Sequence, residues 1–153
     1  MKLGKTFQRN ILIAAGVVLV GIVLAVVWPG NGLVKNKKNQ VILLRSGWQV
    51  ENIGDVAHTP GFLALAEKYI PEAELIFWPY YGLLPESEVV MLKKRFPKLT
   101  IVHGTLSEEG KASTTELSEA ISKADILVHN SGPSMLSWKE ALLFKKMTGK
   151  PYG

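Results

Sequence analysis

Two polar, glycine-bearing stretches carry the side chains that could do chemistry in this sequence. The first is Ser46–Asp55, which follows the apolar run Val41–Leu44, and the second is His129–Ser134, which follows Ile126–Val128. Each stretch precedes a helical pattern. A strand, a glycine-bearing turn and a helix start form a ligand cradle in α/β proteins, because the free N–H groups and the positive helix end can hold an anion. The alternative is a pair of ordinary connections whose glycines only satisfy backbone geometry.

The residue types in these loops restrict the chemistry that they could support. Asp55 could act as a general acid or base, bind a sugar hydroxyl, or be an ordinary acid at a helix start. Neither loop has the G-x-G-x-x-G pattern of dinucleotide binding or the Gly-Lys-Ser/Thr of a P-loop. Ser131 lacks the nucleophile-elbow context of a serine hydrolase. The three histidines lack the spacing of a zinc site, so the sequence predicts no metal (His58, His103 and His129).

Composition excludes several further classes of function. The sequence has no cysteine, which excludes disulfides, thiolate metal sites and cysteine nucleophiles. The net charge of +5 is unevenly distributed. Residues 1–40 hold six of the 18 basic residues and no acidic one, which leaves 12 basic and 13 acidic residues in 41–153. The basic excess therefore flanks an apolar segment, and the sequence predicts no nucleic-acid partner.

The uncharged run Ile11–Trp28 predicts an N-terminal membrane anchor. As a helix it would span about 27 Å, which is close to the hydrocarbon thickness of a bilayer. A cleaved signal peptide is the alternative, but its apolar core is usually shorter and ends in small residues, unlike Val26–Pro29. Residues 1–10 then form a basic tail and 29–40 a linker, and we expect a single-pass membrane protein. Three basic side chains lie on each side of the run, so charge favours neither orientation.

From Val41 onward, short apolar strands alternate with helical patterns, which is typical of a parallel α/β sheet. The predicted strands are Val41–Arg45, Glu74–Trp78, Leu99–His103 and Asp125–His129, and the predicted helices are Pro60–Tyr69, Glu86–Arg95, Thr114–Lys123 and Met135–Met147. We therefore expect a Rossmann-like parallel sheet of about four strands flanked by helices. The usual order puts the first strand beside the fourth, so the two polar loops would face each other at the carboxyl edge. Gly47, His129 and Asn130 are candidate binding residues on this ground.

The last predicted helix and the residues after it bear on the extent of the domain. The apolar side of this helix holds Leu136, Ala141, Leu142 and Met147. Trp138 and Phe144 could lie in the core or face a partner, and the core is preferred. A glycine and a proline then end the helix. A fifth strand would be due next and is missing, so we expect residues 41–153 to be a truncated N-terminal α/β domain.

The two polar loops and the strands before them resemble the polysaccharide pyruvyl transferase family. The first motif is Asn52-Ile53-Gly54-Asp55, which matches the family's Asn-x-Gly-Asp loop. The second is the strand and turn Ala124–Pro133, in which Asn130-Ser131-Gly132 stands where the family more often has a double glycine. Lys150–Gly153 is similar to the stretch that leads into the family's next strand. The resemblance covers Val41–Gly153.

The resemblance implies half of an architecture similar to the two-domain glycosyltransferases of the B type. Enzymes of this family move the enolpyruvyl unit of phosphoenolpyruvate onto sugar hydroxyls as a ketal, in the biosynthesis of cell-surface polysaccharides. Because phosphoenolpyruvate is a substrate of this reaction, the resemblance implies no cofactor. By resemblance, Asp55 is the catalytic carboxylate. The substrate-binding cleft would be lined by Asn52, Gly54, Ser131 and Gly132.

The resemblance also implies partners and a missing part. The partners are phosphoenolpyruvate, a glycan acceptor and, through the anchor, the lipid bilayer. A C-terminal domain would supply most of the donor site, so the chain alone is expected to be inactive. The alternatives are a non-catalytic, membrane-tethered α/β module that binds a sugar or a nucleotide, or half of a glycosyltransferase of the B type.

Overall fold

The computed structural model describes residues 39–47, 53–80, 83–130 and 137–153, without the side chains of Ile53, Asp55 and Val56. Its elements, in chain order, are β1 (Val41–Ser46), α1 (Ile53–Tyr69), β2 (Glu74–Pro79), α2 (Glu86–Arg95), β3 (Thr100–Ile101), α3 (Thr115–Lys123), β4 (Ile126–Asn130) and α4 (Trp138–Thr148). Strands and helices alternate through this part of the chain, which confirms the expected α/β class.

β1 is an inner strand of a parallel sheet whose order is β3-β2-β1-β4. Leu44 of β1 lies opposite Phe77 of β2 on one side and Val128 of β4 on the other. The chain therefore runs outward from β1 through β2 to β3 and then returns to the far side of β1. β3 has only two residues, fewer than the predicted Leu99–His103. The expected four-stranded parallel sheet is confirmed, and the direction of winding reverses between β1 and β4.

Helices cover both faces of the sheet, which explains why β1 is apolar almost throughout. All six residues of β1 are buried. One core cluster joins Leu44 to α1 and α2, and the other joins Leu43 to α3 and α4. Because successive residues of a strand point to opposite faces, Arg45 lies on the face covered by α3 and α4, and Ser46 lies on the face covered by α1 and α2.

The first helix starts at Ile53, seven residues before the predicted start at Pro60. Proline favours the first turn of a helix because it has no N–H to donate there, and this preference is the reason for the prediction. In the structure, Pro60 lies inside α1. Gly54 and Asp55 consequently belong to the first helical turn and not, as predicted, to the loop after β1.

The other three helices lie where the sequence predicts them, within three residues at each end. Thr114 caps α3, since its hydroxyl oxygen accepts from the N–H of Leu117 at 3.2 Å and donates to the carbonyl oxygen of His103 at 2.7 Å. α4 is followed by Gly149, whose φ of 71° lies in the left-handed region that favours glycine.

The buried side of α4 differs from the expected one. Phe144 is fully buried, as predicted, but Trp138 is 52% exposed, and Leu142 and Met147 are exposed as well. At 3.6 residues per turn, Trp138 lies about 120° around the helix from Phe144, so that packing Phe144 against the sheet turns Trp138 away from the core. The placement of Trp138 in the core was therefore wrong.

The last residues of the sequence contact the outer edge of β4. Tyr152 forms an isolated parallel bridge with Leu127. The N–H of Gly153 donates to the carbonyl oxygen of Leu127 at 3.0 Å, and the N–H of His129 donates to the carbonyl oxygen of Gly153 at 2.6 Å. These contacts form a single bridge and not a strand, so the described sheet keeps its four strands.

The predicted anchor Ile11–Trp28 lies outside the described residues, as do the basic tail and most of the linker. Within the part of the chain that the structure describes, no helix is both long enough and apolar enough to cross a bilayer. Membrane anchoring therefore stays a prediction from the sequence.

We expect the substitution Phe144→Ala to lower the free energy of unfolding by about 3–5 kcal/mol, because it leaves a cavity between α4 and the sheet. Trp138→Ala on the same helix is the matched control, and its loss should stay below about 1 kcal/mol because half of the ring is already in solvent. Urea unfolding of the two variants measures both values. Equal losses would contradict this assignment of the two aromatic side chains.

Candidate functional site

The carboxyl ends of β1 and β4 lie side by side, with Arg45 opposite His129 and Ser46 opposite Asn130. His129 Nδ1 lies 3.2 Å from the carbonyl oxygen of Arg45, which holds the imidazole ring against β1. The loops that follow these strands therefore leave the sheet from neighbouring points, as predicted. Ligands of open α/β sheets bind at such a reversal of the winding, so this edge is the candidate functional site.

On the α1 side of this edge, a groove separates the first turns of α1 from the end of β4. It has a volume of about 390 Å³, and Gly54, His58, Phe62, Leu65 and Asn130 are among its lining residues. Asn130 Nδ2 donates to the carbonyl oxygen of His58 at 2.9 Å. This hydrogen bond joins α1 directly to the start of the loop that follows β4.

Thr59 anchors the turn after β1 to α1. Thr59 and Ser46 are both fully buried. The Thr59 hydroxyl donates to Ser46 Oγ at 2.8 Å and lies 3.2 Å from the carbonyl oxygen of Gly47. Water cannot replace these partners easily because the site is buried. The position of Gly47 at the rim of the site therefore depends on one buried hydroxyl group.

The predicted site residues fall into three groups. The shared edge contains Gly47, Gly54, His129 and Asn130. The other predicted binding residues lie outside the described part of the chain (Asn52, Ser131 and Gly132). The backbone of Asp55, the candidate catalytic residue, belongs to the first turn of α1, next to Gly54, but its side chain is among those not described.

On the opposite face of the sheet, the same edge holds a buried arginine that the sequence analysis did not single out. Arg45 is only 4% exposed. Its guanidinium carbon lies 3.9 Å from the centroid of the Trp78 ring and 4.9 Å from that of Tyr80. Nη1 donates to the carbonyl oxygen of Pro79, and Nη2 forms an ion pair with Glu140 Oε1 at 3.2 Å. One cation thus joins β1, β2 and α4.

The electrostatics of this arginine are set by burial and by one carboxylate. Burial lowers the pKa of Arg45, and the hydrogen bond and charge of Glu140 oppose that change. A guanidinium nevertheless stays protonated in proteins, so the group is a buried cation. In the sequence, the only local sign of this buried cation was a basic residue directly after four apolar ones. Its partner Glu140 is 95 positions away, so the ion pair could not be read from neighbouring residues.

Three buried polar atoms have no hydrogen-bond partner in the described part of the chain: Arg45 Nε, His129 Nε2 and Ser137 Oγ. His129 lies opposite Arg45 across the strands. Ser137 precedes α4 and comes three positions before Glu140, the ion-pair partner of Arg45. Buried polar groups without partners are rare and often mark a place where water or a ligand binds. Their concentration at one edge supports a binding role for it.

The described residues of the edge can bind a polar ligand through amide, imidazole and backbone groups. No three histidine, cysteine, aspartate or glutamate side chains within the described ranges lie close enough together to hold a metal ion. A separate groove of about 290 Å³ lies at the amino edge of the sheet, where Pro71, Leu75, Phe96 and Leu99 are among the residues that line it. It is mostly apolar and lies at the end of the sheet where such folds do not usually bind ligands.

No family model matches this sequence, and neither a curated protein nor a solved structure matches it. The case for a function therefore rests on the geometry of the site and on the resemblance of its two loops.

We expect Thr59→Val to lower the free energy of unfolding by about 1–3 kcal/mol, because it leaves buried polar groups of Ser46 and Gly47 without their hydrogen-bond partner. Thr59→Ser keeps the hydroxyl and is the control, for which a smaller loss is expected. Thermal or urea unfolding of both variants tests the difference. A valine variant as stable as the wild type would mean that the hydroxyl does not anchor the turn.

Proposed function

We propose that this chain forms the N-terminal half of a membrane-anchored, polysaccharide pyruvyl transferase-like enzyme. In this proposal, the groove between α1 and β4 receives a hydroxyl-bearing part of a glycan, and a second α/β domain similar to that of B-type glycosyltransferases supplies most of the phosphoenolpyruvate site. The observation that carries the proposal is the hydrogen bond between Asn130 Nδ2 and the carbonyl oxygen of His58. It brings the regions of the two resembling motifs together at the reversal of the sheet.

The chemistry of ketal formation explains why a carboxylate is needed at this place. Two sugar hydroxyls add to C2 of phosphoenolpyruvate, C3 takes up a proton, and phosphate leaves with the remaining proton. Two protons must therefore move away from the sugar oxygens during the reaction. A carboxylate beside the hydroxyls can accept a proton as each oxygen attacks. Asp55, next to the groove residue Gly54, is our candidate for that role.

A second candidate function is a tethered α/β module that binds a sugar or a nucleotide without transferring anything. The observation that favours it concerns the described residues that line the groove. Gly54, His58 and Asn130 supply hydrogen-bonding groups, while Phe62 and Leu65 supply apolar surface. This set includes no carboxylate of its own. The role of Asp55 consequently distinguishes the two candidates.

The test is the chromosomal substitution Asp55→Asn, which keeps any second half of the enzyme in place. Membranes are incubated with phosphoenolpyruvate labelled in its carbon skeleton, and acid-labile label is measured in the glycan fraction. We expect transfer to fall at least about a hundredfold, because asparagine is not a base. The melting temperature should stay near that of the wild type, because losing one negative charge in the first turn of α1 costs at most about 1 kcal/mol.

Glu86→Gln is the matched control, since Glu86 is an exposed acid in the first turn of α2. It should leave transfer unchanged and cost at most about 1 kcal/mol of stability. Transfer that survives Asp55→Asn would remove the catalytic assignment. Equal label in wild-type membranes and in membranes from a deletion strain would remove the transferase proposal and leave the binding module.

A further inference from the structure

A second cleft opens on the other face of the same edge, beside the buried arginine. Its walls come from the end of β2, the loop between β3 and α3, and the first turn of α4, and its volume is about 410 Å³. The polar and aromatic side chains of its lining are Tyr80, Ser107, Glu108, Trp138, Lys139 and Glu140. The first turn of α4 thus contributes three adjacent side chains to one cleft.

Trp138 gives this cleft a large flat apolar surface. Trp138 is 52% exposed although α4 buries Phe144 completely, so Trp138 is not part of the core. The Lys139 ammonium lies 5.8 Å from the ring centroid. A half-exposed indole that lines a cleft is a common anchor for a ligand, because it offers much contact area and loses little conformational entropy on binding.

Glu140 gives the cleft a hydrogen-bond acceptor whose position is fixed. Its Oε1 is held by Arg45 Nη2 at 3.2 Å. Arg45 is itself fixed by the Trp78 ring and by the carbonyl oxygen of Pro79. The carboxylate is therefore oriented before any ligand arrives, and a ligand hydroxyl that donates to Glu140 does not have to order it.

The charges of the cleft cancel. Glu108 and Glu140 are the acidic side chains of its lining, Lys139 is the basic one, and Arg45 lies directly behind Glu140. Two negative and two positive groups give a site that attracts ions of neither sign strongly. What remains is a set of hydrogen-bonding groups around an aromatic surface. This combination favours an uncharged ligand with many hydroxyl groups.

Two buried polar atoms belong to residues that adjoin the lining of the cleft without being part of it. Arg45 Nε can only donate a hydrogen bond, whereas Ser137 Oγ can donate or accept, and neither has a partner in the described part of the chain. Arg45 and Ser137 are both more than nine-tenths buried. A water molecule, which donates and accepts hydrogen bonds at once, is the kind of partner that each of these atoms can take.

We propose that this cleft binds a sugar ring of an uncharged saccharide, with the C–H face of the ring stacked on Trp138 and its hydroxyls donating to Glu140 and Glu108. The site lies on the α4 face of the sheet, across from the groove between α1 and β4. It involves no bond making, so it holds whether or not Asp55 takes part in pyruvyl transfer. An organic cation bound by the aromatic rings is the competing outcome.

The test uses the full chain in a detergent without a sugar headgroup. Binding is first screened on an array of uncharged and acidic oligosaccharides. The uncharged oligosaccharide that binds most tightly is then used as the probe, and titration calorimetry measures its Kd. We expect binding of an uncharged oligosaccharide whose Kd stays constant between about 50 mM and 500 mM salt, because no ligand charge is screened. Trp138→Ala should weaken binding at least tenfold, and Trp138→Phe less.

Tyr69→Ala is the matched control, because Tyr69 is a 69% exposed aromatic residue at the far end of α1, and its Kd should equal that of the wild type. If Trp138→Ala fails to fold, NMR spectroscopy replaces it. The indole N–H signal of Trp138 is the one that is missing from the spectrum of Trp138→Phe. In the wild type, this signal must shift when the oligosaccharide is added. The proposal is overturned if the array shows no uncharged ligand, if only acidic saccharides or quaternary ammonium ions bind, or if Trp138→Ala binds like the wild type.

Discussion

A buried cation at the end of β1 is the interaction on which the carboxyl edge of this domain depends. Burying an unpaired charge would cost several kcal/mol, so the groups around Arg45 have to satisfy it. They come from two neighbouring elements: the Trp78 ring and Pro79 carbonyl at the end of β2, and Glu140 in the first turn of α4. Trp78 extends the network, since its Nε1 donates to the carbonyl oxygen of Gly104 at 2.8 Å. The arginine thus sets the position of α4 and of the loop after β3.

The two faces of the edge are held by different means. On the α1 face, a buried hydroxyl on Thr59 fixes the turn at Gly47, and Asn130 bonds to the backbone of α1. On the α4 face, Arg45 holds Glu140. The α1-face groove includes Asn130 at the end of β4, whereas the α4-face cleft lies beyond the end of β2 and is joined to β1 through the ion pair of Arg45 with Glu140. The proposed groove and the proposed sugar cleft thus lie on opposite faces of the carboxyl edge of the sheet.

The sequence predicted the elements whose signals are local. Alternating apolar strands and helical patterns were sufficient for the four-stranded parallel sheet, and the bounds of α2 were predicted to the residue.

The start of α1 was missed because Pro60 carries a strong preference for a first turn, while the tertiary anchor at Thr59 is not visible in the sequence. The exposure of Trp138 was missed because an aromatic residue in a helical pattern does not reveal which side of the helix the sheet will cover. Arg45 was missed because its partner is far away in the chain. Gly54 and Asn130 were placed together correctly because strand order alone brings their regions together.

The measurement that tests this account most directly is a double-mutant cycle on Arg45 and Glu140, with Arg45→Met, Glu140→Gln and the double variant unfolded in urea. If the buried ion pair positions α4, the losses in the free energy of unfolding will not add, because each single variant leaves one charge without its partner. We expect a coupling energy of about 1–3 kcal/mol. Losses that add within about 0.5 kcal/mol would mean that the two side chains act independently, and the edge would then not depend on the buried cation.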